Sequence, residues 1–371
     1  LISSLRASIE RAWLSRGLLS TLLLPLSWLY GALAGLNSSL RADAALSRQP
    51  LRAPVIIVGN LIAGGAGKTP TVMAVIALLR SRGYTPAIVS RGHGRLRGGD
   101  APLVVESDTP AERSGDEPLL LRLRTGAPVC VATDRWAAAR HALQTHPDVD
   151  VIVSDDGLQH LALPRTAQVV VFDERGIGNG RRLPAGPLRE QMTPAAPART
   201  VVVYNADRQT TSWPGHLGHR RLTGLVALTD WWAGQPATTD ALRALASTHQ
   251  PIHAAAGIAR PSRFFDMLRA AGLDIQELPL ADHDPWTTLP WPADARDVLI
   301  TEKDAVKLRP ERLRMTAGEP RVWVAPLDFV IDAGFADELM SLLPQRLPLA
   351  QLQPRASAPQ PSRRPDGHST A

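Results

Sequence analysis

The sequence predicts an α/β fold: a parallel sheet with helices on both faces, followed by a second, smaller α/β domain. Three observations carry this. Short apolar, β-branched runs at 55–58, 86–90, 129–132, 151–153 and 169–172 alternate with stretches of helical periodicity. A glycine-rich loop joins the first run to the first helical stretch. The alternation resumes after residue 200, with runs at 252–256, 298–301 and 322–325. A chain of 371 residues has room for two domains, and 44% hydrophobic with 20% charged residues is a globular composition.

An apolar segment precedes the sheet. Arg6, Arg11 and Arg16 lead into residues 17–36, which carry no charge, and Arg41 follows. The length just reaches across a bilayer, but Ser20, Pro25 and Ser27 weaken a span, while Trp28 and Tyr30 suit a membrane interface. Residues 1–45 therefore read as an N-terminal membrane-associating helical segment, a hairpin on or partly inserted in the surface, with its arginines toward anionic head groups. A full span and a buried core helix are the alternatives.

Val55 to Val58 is a buried strand. The loop after it holds Ile62, Ala63, Gly64, Gly65, Ala66 and Gly67, then Lys68 and Thr69. Backbone N–H groups at a helix start face an anion, and the glycines let the backbone wrap it closely. Lys68 brings a charge for the β- and γ-phosphates of a nucleotide, and Thr69 a hydroxyl for Mg²⁺. Pro70 suits the first helical turn, and Val72, Val75, Ile76 and Leu79 continue at helical spacing. Strand, loop, Lys-Thr and helix form the layout of a P-loop NTPase-type sheet. The common spacing asks for glycine at position 62, so this is a G-G-x-G-K-T variant. A ligand-free glycine turn has the same composition.

Farther along, Arg91 opens a basic glycine loop after the strand at 86–90; it is either a phosphate clamp or a solvated arginine. Asp116 and Glu117 stand at a helix start and, on position alone, read as capping residues; two adjacent carboxylates there also suit a base beside a transferred phosphate. The apolar strand Val151-Ile-Val runs into Asp155 and Asp156, the Walker B position for Mg²⁺, although Asp-Gly is also a turn dipeptide. Ligands of such sheets sit at the carboxyl ends of the strands, which puts the loop, Arg91, Asp155 and Asp156 on one edge. Residues 176–199, rich in Gly, Pro and Arg, read as a linker or functional loop between a nucleotide-binding domain at 46–175 and a second domain at 200–346. His283, flanked by acids, reads alone as a surface histidine. Thr301-Glu-Lys-Asp304 has capping-box spacing. The tail at 347–371 reads as disordered.

Cys130 is the single cysteine, so no intrachain disulfide forms and a reducing compartment fits. No Cys/His cluster has zinc spacing. The net charge of +6 calls for an anionic partner, and no basic run interleaved with aromatics argues for nucleic acid.

The segments VGNLIAGGAGKTP, SRGHGR, SGDEP, DDGLQH, GPLRE, GIARPSRFF, ADHDPW and ITEKDAVK occur in this order. Together, from the N-terminal apolar segment to about residue 330, they resemble the tetraacyldisaccharide 4'-kinase family. Ile62 is no departure from that family's loop. His93 departs from its more usual SRGYGR, and the residues after the Asp-His pair of ADHDPW also differ. The resemblance implies a P-loop kinase of two α/β domains at the cytoplasmic face of the bacterial inner membrane. With ATP and Mg²⁺ it would phosphorylate the 4'-hydroxyl of a tetraacyldisaccharide 1-phosphate, giving lipid IV-A in lipopolysaccharide synthesis. Carried over by position, Asp116 is the catalytic base and His283 its partner from the second domain. Lys68 and Thr69 meet phosphate and Mg²⁺, with Glu117, Asp155 and Asp156 around the metal. Arg91, Gln159, His160 and Arg189 are candidate contacts to the lipid substrate. The implied partners are that lipid and the membrane surface, with no nucleic acid and no protein partner. The alternative is a membrane-recruited nucleotide switch or an ATPase. Against the switch, Glu302-Lys-Asp304 lacks the spacing of a guanine-reading N-K-x-D.

Overall fold

The computed structural model describes residues 8–46, 48–95, 101–248, 250–313 and 320–344. Arg6 and the tail at 347–371 lie outside the described residues. The larger unit carries helices α1 (Leu18–Leu22), α2 (Leu24–Leu46), α3 (Lys68–Ser81), α4 (Ala111–Ser114), α5 (Asp116–Thr125) and α6 (Arg135–Thr145). Its sheet has nine strands. In spatial order they are β14 (Leu327–Ile331), β8 (His216–Leu222), β7 (Thr200–Asn205), β6 (Ala167–Asp173), β1 (Val55–Gly59), β5 (Val151–Asp155), β2 (Pro86–Ser90), β4 (Val129–Val131) and β3 (Leu103–Val105).

From β8 to β4 the pairing is parallel, and β3 and β14 close the edges antiparallel. Every residue of β1 is buried, and the side chains alternate between two cores. Ile56 and Val58 share one with Val72, Val75, Ile76 and Leu79 of α3; Val55 and Ile57 share the other with Ala138, Ala139 and Ala142 of α6. Helices thus cover both faces, as the continuous apolar strands require. The register pairs Val58 with Asp155, which brings the end of β5 beside the start of the glycine loop.

The smaller sheet has five strands, in the order β11 (Ile275–Pro279), β10 (Ile252–Ala256), β12 (Asp297–Thr301), β13 (Arg321–Ala325) and β9 (Val226–Ala227). Helices α7 (Leu228–Trp232), α8 (Thr239–Ala246), α9 (Pro261–Ala270) and α10 (Glu302–Ala305) accompany it, and α11 (Gly334–Ser341) follows β14.

The boundary expected between 175 and 200 does not separate the sheets. Strands β7, β8 and β14 extend the large sheet, so the smaller unit is inserted between the adjacent strands β8 and β14. At the crossing, the Thr223 amide and hydroxyl both donate to the Pro326 carbonyl, at 3.3 and 3.2 Å. Residues 176–199 are no linker either, since they join β6 and β7, which are neighbours in one sheet.

In the N-terminal segment a helical stretch at 8–12 and a turn at 13–15 precede an interrupted rod formed by α1 and α2. Leu23 N–H donates to Leu19 O and Ser27 N–H to Leu23 O, so helical bonding continues past the junction; Pro25, which has no N–H, supplies the break. One side of the rod is fastened to the loop at 177–187: Ser20 Oγ donates to Ala185 O at 2.6 Å, and Ser27 Oγ to Arg182 O at 2.9 Å. Buried Asn179 ties the loop to Ala12 O, Ser15 O and Ser20 Oγ. The other side leaves Leu18, Leu22, Leu26, Trp28, Leu29, Leu33 and Leu36 exposed. Among the described residues no helix is long and apolar enough to cross a membrane.

Candidate active site

The loop between β1 and α3 is shaped by its glycines and pinned from behind. Gly64 and Gly67 have φ of +92° and +96°, where a Cβ is strained. A Cβ on Gly67 would also stand 2.4 Å from Asn205 Nδ2. Asn205 donates to Ala66 O at 3.0 Å, Asn60 to Ile62 O at 2.8 Å, and Arg175 to Ala63 O at 3.2 Å and Gly65 O at 3.4 Å. Carbonyls are therefore drawn away from the cleft. Gly65, Gly67, Lys68 and Thr69 line a cavity of about 200 Å³ between the two units. Ile62, Ala63, Gly64 and Ala66 do not. Ile62 is buried in a bridge to Leu188, and Ala63 N–H donates to Pro187 O at 2.7 Å, because this half of the loop packs on the segment at 181–189.

Asp155 and Asp156 are adjacent but in opposite electrostatic settings. Asp155 is buried at the end of β5 and its Oδ1 has no hydrogen-bond partner. Burial, with Glu117 and Asp156 adding to it, raises its pKa to about 7. Burial also opposes the charge of Asp156, but Lys68 and Arg189 outweigh it and hold that pKa below the ordinary value. Lys68 Nζ stands 3.7 Å from Asp156 Oδ1, and Arg189 Nη1 donates to both its oxygens at 3.0 and 3.3 Å.

Opposite them, α5 begins without a side-chain cap. Its N-cap is Gly115 at φ +91°, where a Cβ would meet His93 O at 2.6 Å. The capping reading of Asp116 is thereby corrected: the carboxylate turns to the second unit. His283 Nδ1 lies 3.2 Å from Asp116 Oδ2. Lys303 Nζ stands 3.3 Å from His283 Nε2, 3.3 Å from Glu117 Oε1 and 3.5 Å from Asp282 Oδ1. Burial works against the ammonium, but Glu117, Asp282 and Asp116 raise its pKa. An ammonium has no lone pair, so Nε2 must accept and Nδ1 carries the ring proton toward Asp116.

The loop bearing His283 is braced from α10. Buried Asp304 accepts from Gly257 N–H at 3.0 Å, the Trp286 indole at 2.9 Å and the Thr301 hydroxyl at 2.6 Å. Thr301 caps α10 as the spacing predicts, while the Asp304 carboxylate is diverted to this loop rather than to the Thr301 amide. His93 packs edge-on against the His283 ring at 5.8 Å.

The remaining candidates divide. Gln159 joins Arg189 at 3.1 Å and Glu190 at 2.9 Å, beside Asp156. His160 is buried 3.7 Å from Asp134. Arg91 is exposed at the end of β2 and joins neither group. Sequence reasoning missed Asn60, Arg175, Asn205 and Arg220 around the loop. A polar residue at the end of an apolar strand is the only signal Asn60 and Asn205 give. Lys303 lay in a quoted motif without a role.

Mg²⁺ is tested by its donors. Among the described residues no three His, Cys, Asp or Glu side chains gather tightly enough to hold an ion by themselves. That suits a metal bound by one or two carboxylates and by substrate phosphates. The orphaned Asp155 oxygen, beside a loop that ends in Thr69, fits such an ion.

The family comparisons make this α/β protein a phosphotransferase. A model of tetraacyldisaccharide-1-P 4'-kinase matches residues 19–344. The chain belongs to that family and is an ATP-dependent kinase of lipid A biosynthesis. Among its relatives, the tetraacyldisaccharide 4'-kinase of Methylibium petroleiphilum is 52% identical over 95% of this chain and 96% of its own. That of Leptothrix cholodnii is 51% identical over 93% and 98%. A solved structure, "apo" form LpxK from Aquifex aeolicus in complex with ATP, shares the fold with a TM-score of 0.70, 24% identity, and coverage of 88% of this chain and 99% of that one.

Proposed function

We propose that the chain transfers the γ-phosphate of ATP to the 4'-hydroxyl of tetraacyldisaccharide 1-phosphate, giving lipid IV-A at the cytoplasmic face of the inner membrane. The observation that carries this is the 3.2 Å contact across the cleft between Asp116 of the P-loop unit and His283 of the second unit. The loop amides and Lys68 cradle the triphosphate. Thr69 and Asp155 would hold Mg²⁺, with Asp156 and Glu117 beside it, and the ion neutralises phosphate charge. Asp116 takes the proton of the attacking hydroxyl. His283, its ring proton fixed by Lys303, orients that carboxylate. Most of the rate comes from positioning and charge neutralisation. The exposed apolar side of α1 and α2 lies on the membrane and keeps the acyl chains there. Arg189 and Gln159 are the substrate-facing polar pair.

The test is transfer of labelled γ-phosphate to purified tetraacyldisaccharide 1-phosphate in detergent micelles, beside Lys68→Ala. Labelled lipid that disappears in the variant is expected. Nucleotide hydrolysis without labelled lipid would instead leave an ATPase or a switch.

A further inference from the structure

Strand β8 carries a charge that the fold leaves unanswered. Arg220 lines the interdomain cavity together with Gly65, Gly67, Lys68 and Thr69. Its Nη2 stands 3.3 Å from the position of a Cβ built on Gly67, so the guanidinium is against the loop itself. Its Nε is buried without a hydrogen-bond partner, and among the described residues the Arg220 side chain makes no hydrogen bond or ion pair. Burial lowers its pKa, with Asp173 the only opposing charge. That carboxylate is already committed, to Arg175 at 2.8 Å and to Arg260 at 3.6 Å. The other cations of the wall differ: Arg260 and Arg263 both pair with Glu174.

A desolvated guanidinium without a counter-charge costs stability and is retained where an anion completes it. We propose that Arg220 is a direct ligand of the nucleotide's phosphate chain, a second cation delivered from β8 to the side of the loop away from Asp156. This rests on the reading of the cleft as the nucleotide site. The planar fork grips two phosphate oxygens at once, which Lys68, a point charge, does not do.

The proposal separates from a wall-packing role by a reversal of sign. Thermal unfolding and ATP titration are measured for wild type, Arg220→Met, Arg220→Lys and Lys68→Ala, using the full chain with Mg²⁺. Arg220→Met should unfold no earlier than wild type without nucleotide. Its ATP dissociation constant should rise roughly 10- to 100-fold, the worth of a charge-assisted hydrogen-bond pair. Arg220→Lys should recover part of that loss. If Arg220→Met lowers the ligand-free melting temperature along with affinity, Arg220 is a packing residue and the proposal falls. If it binds ATP as wild type does while Lys68→Ala does not, the ligand role falls and the nucleotide site stands. If Lys68→Ala also binds normally, the nucleotide reading of the cleft falls with it.

Discussion

Asp116 and His283 lie 167 positions apart in sequence and 3.2 Å apart across the cleft. Sequence alone could place each in a loop or at a helix start, but nothing local says that they meet, because the meeting depends on how two units dock. Removing the base should cost about 10²- to 10⁴-fold in kcat. Asp116→Ala is therefore expected to lose turnover at nearly unchanged ATP affinity, measured by initial rates beside a binding titration. An equal loss in both would count against the base role. Asp155 offers a second check, in pH. Its pKa of about 7 lies above the ordinary 3.8, so the native state holds that proton more tightly than the unfolded chain. The contribution is present below pH 4 and is lost as pH rises to about 7. Asp155→Asn should therefore gain in melting temperature over metal-free wild type as pH goes from 5 to 8. Parallel curves would contradict the raised pKa.

At the scale of elements, the β-branched runs announced most of the central strands, since strands buried on both faces have no room for polar residues. Strand β10 carries the expected bounds, 252–256. Strands β8 and β14 went unread for the opposite reason. HLGHRRL and LDFVI are only partly buried, next to or at a sheet edge, and half their positions need no apolar side chain. Missing them displaced the domain boundary. Helix α5 shows what joins the units. Asp116 and Glu117 at its start face the second unit, and near its end Arg124 pairs with buried Glu302 at 2.5 Å. Glu302 Oε1 also accepts from the Trp231 indole at 3.0 Å. Glu302→Ala leaves the largely buried Arg124 guanidinium with Asp328 alone, at 2.9 Å, and orphans the Trp231 indole N–H, and a loss of about 1–3 kcal/mol is expected by denaturant titration. Glu302→Gln, which keeps the indole bond, should lose less.

Over the whole molecule, polar fastening on one side and exposed leucines on the other give the N-terminal rod a fixed orientation. Vesicles of anionic lipid should carry the protein upward in a flotation gradient. A Leu22→Ser, Leu26→Ser, Leu29→Ser variant should stay at the bottom with its ATP affinity intact. Sedimentation of both would remove the membrane role of this face. The basic charge has a further consequence. The chain has 41 basic side chains, of which only Lys68, Lys303 and Lys307 are lysines. Lys68 and Lys303, with side chains 12% and 18% exposed, line the interdomain cavity, while Lys307, 6% exposed, is held inside the second unit by Asp304 and the Asp284 carbonyl. Every side-chain primary amine is thus sheltered, two of the three where the two units meet. Acylating reagents that modify most proteins over their whole surface would here report, at Lys68 and Lys303, the parting of the cleft, and mass spectrometry could time that opening without any engineered label.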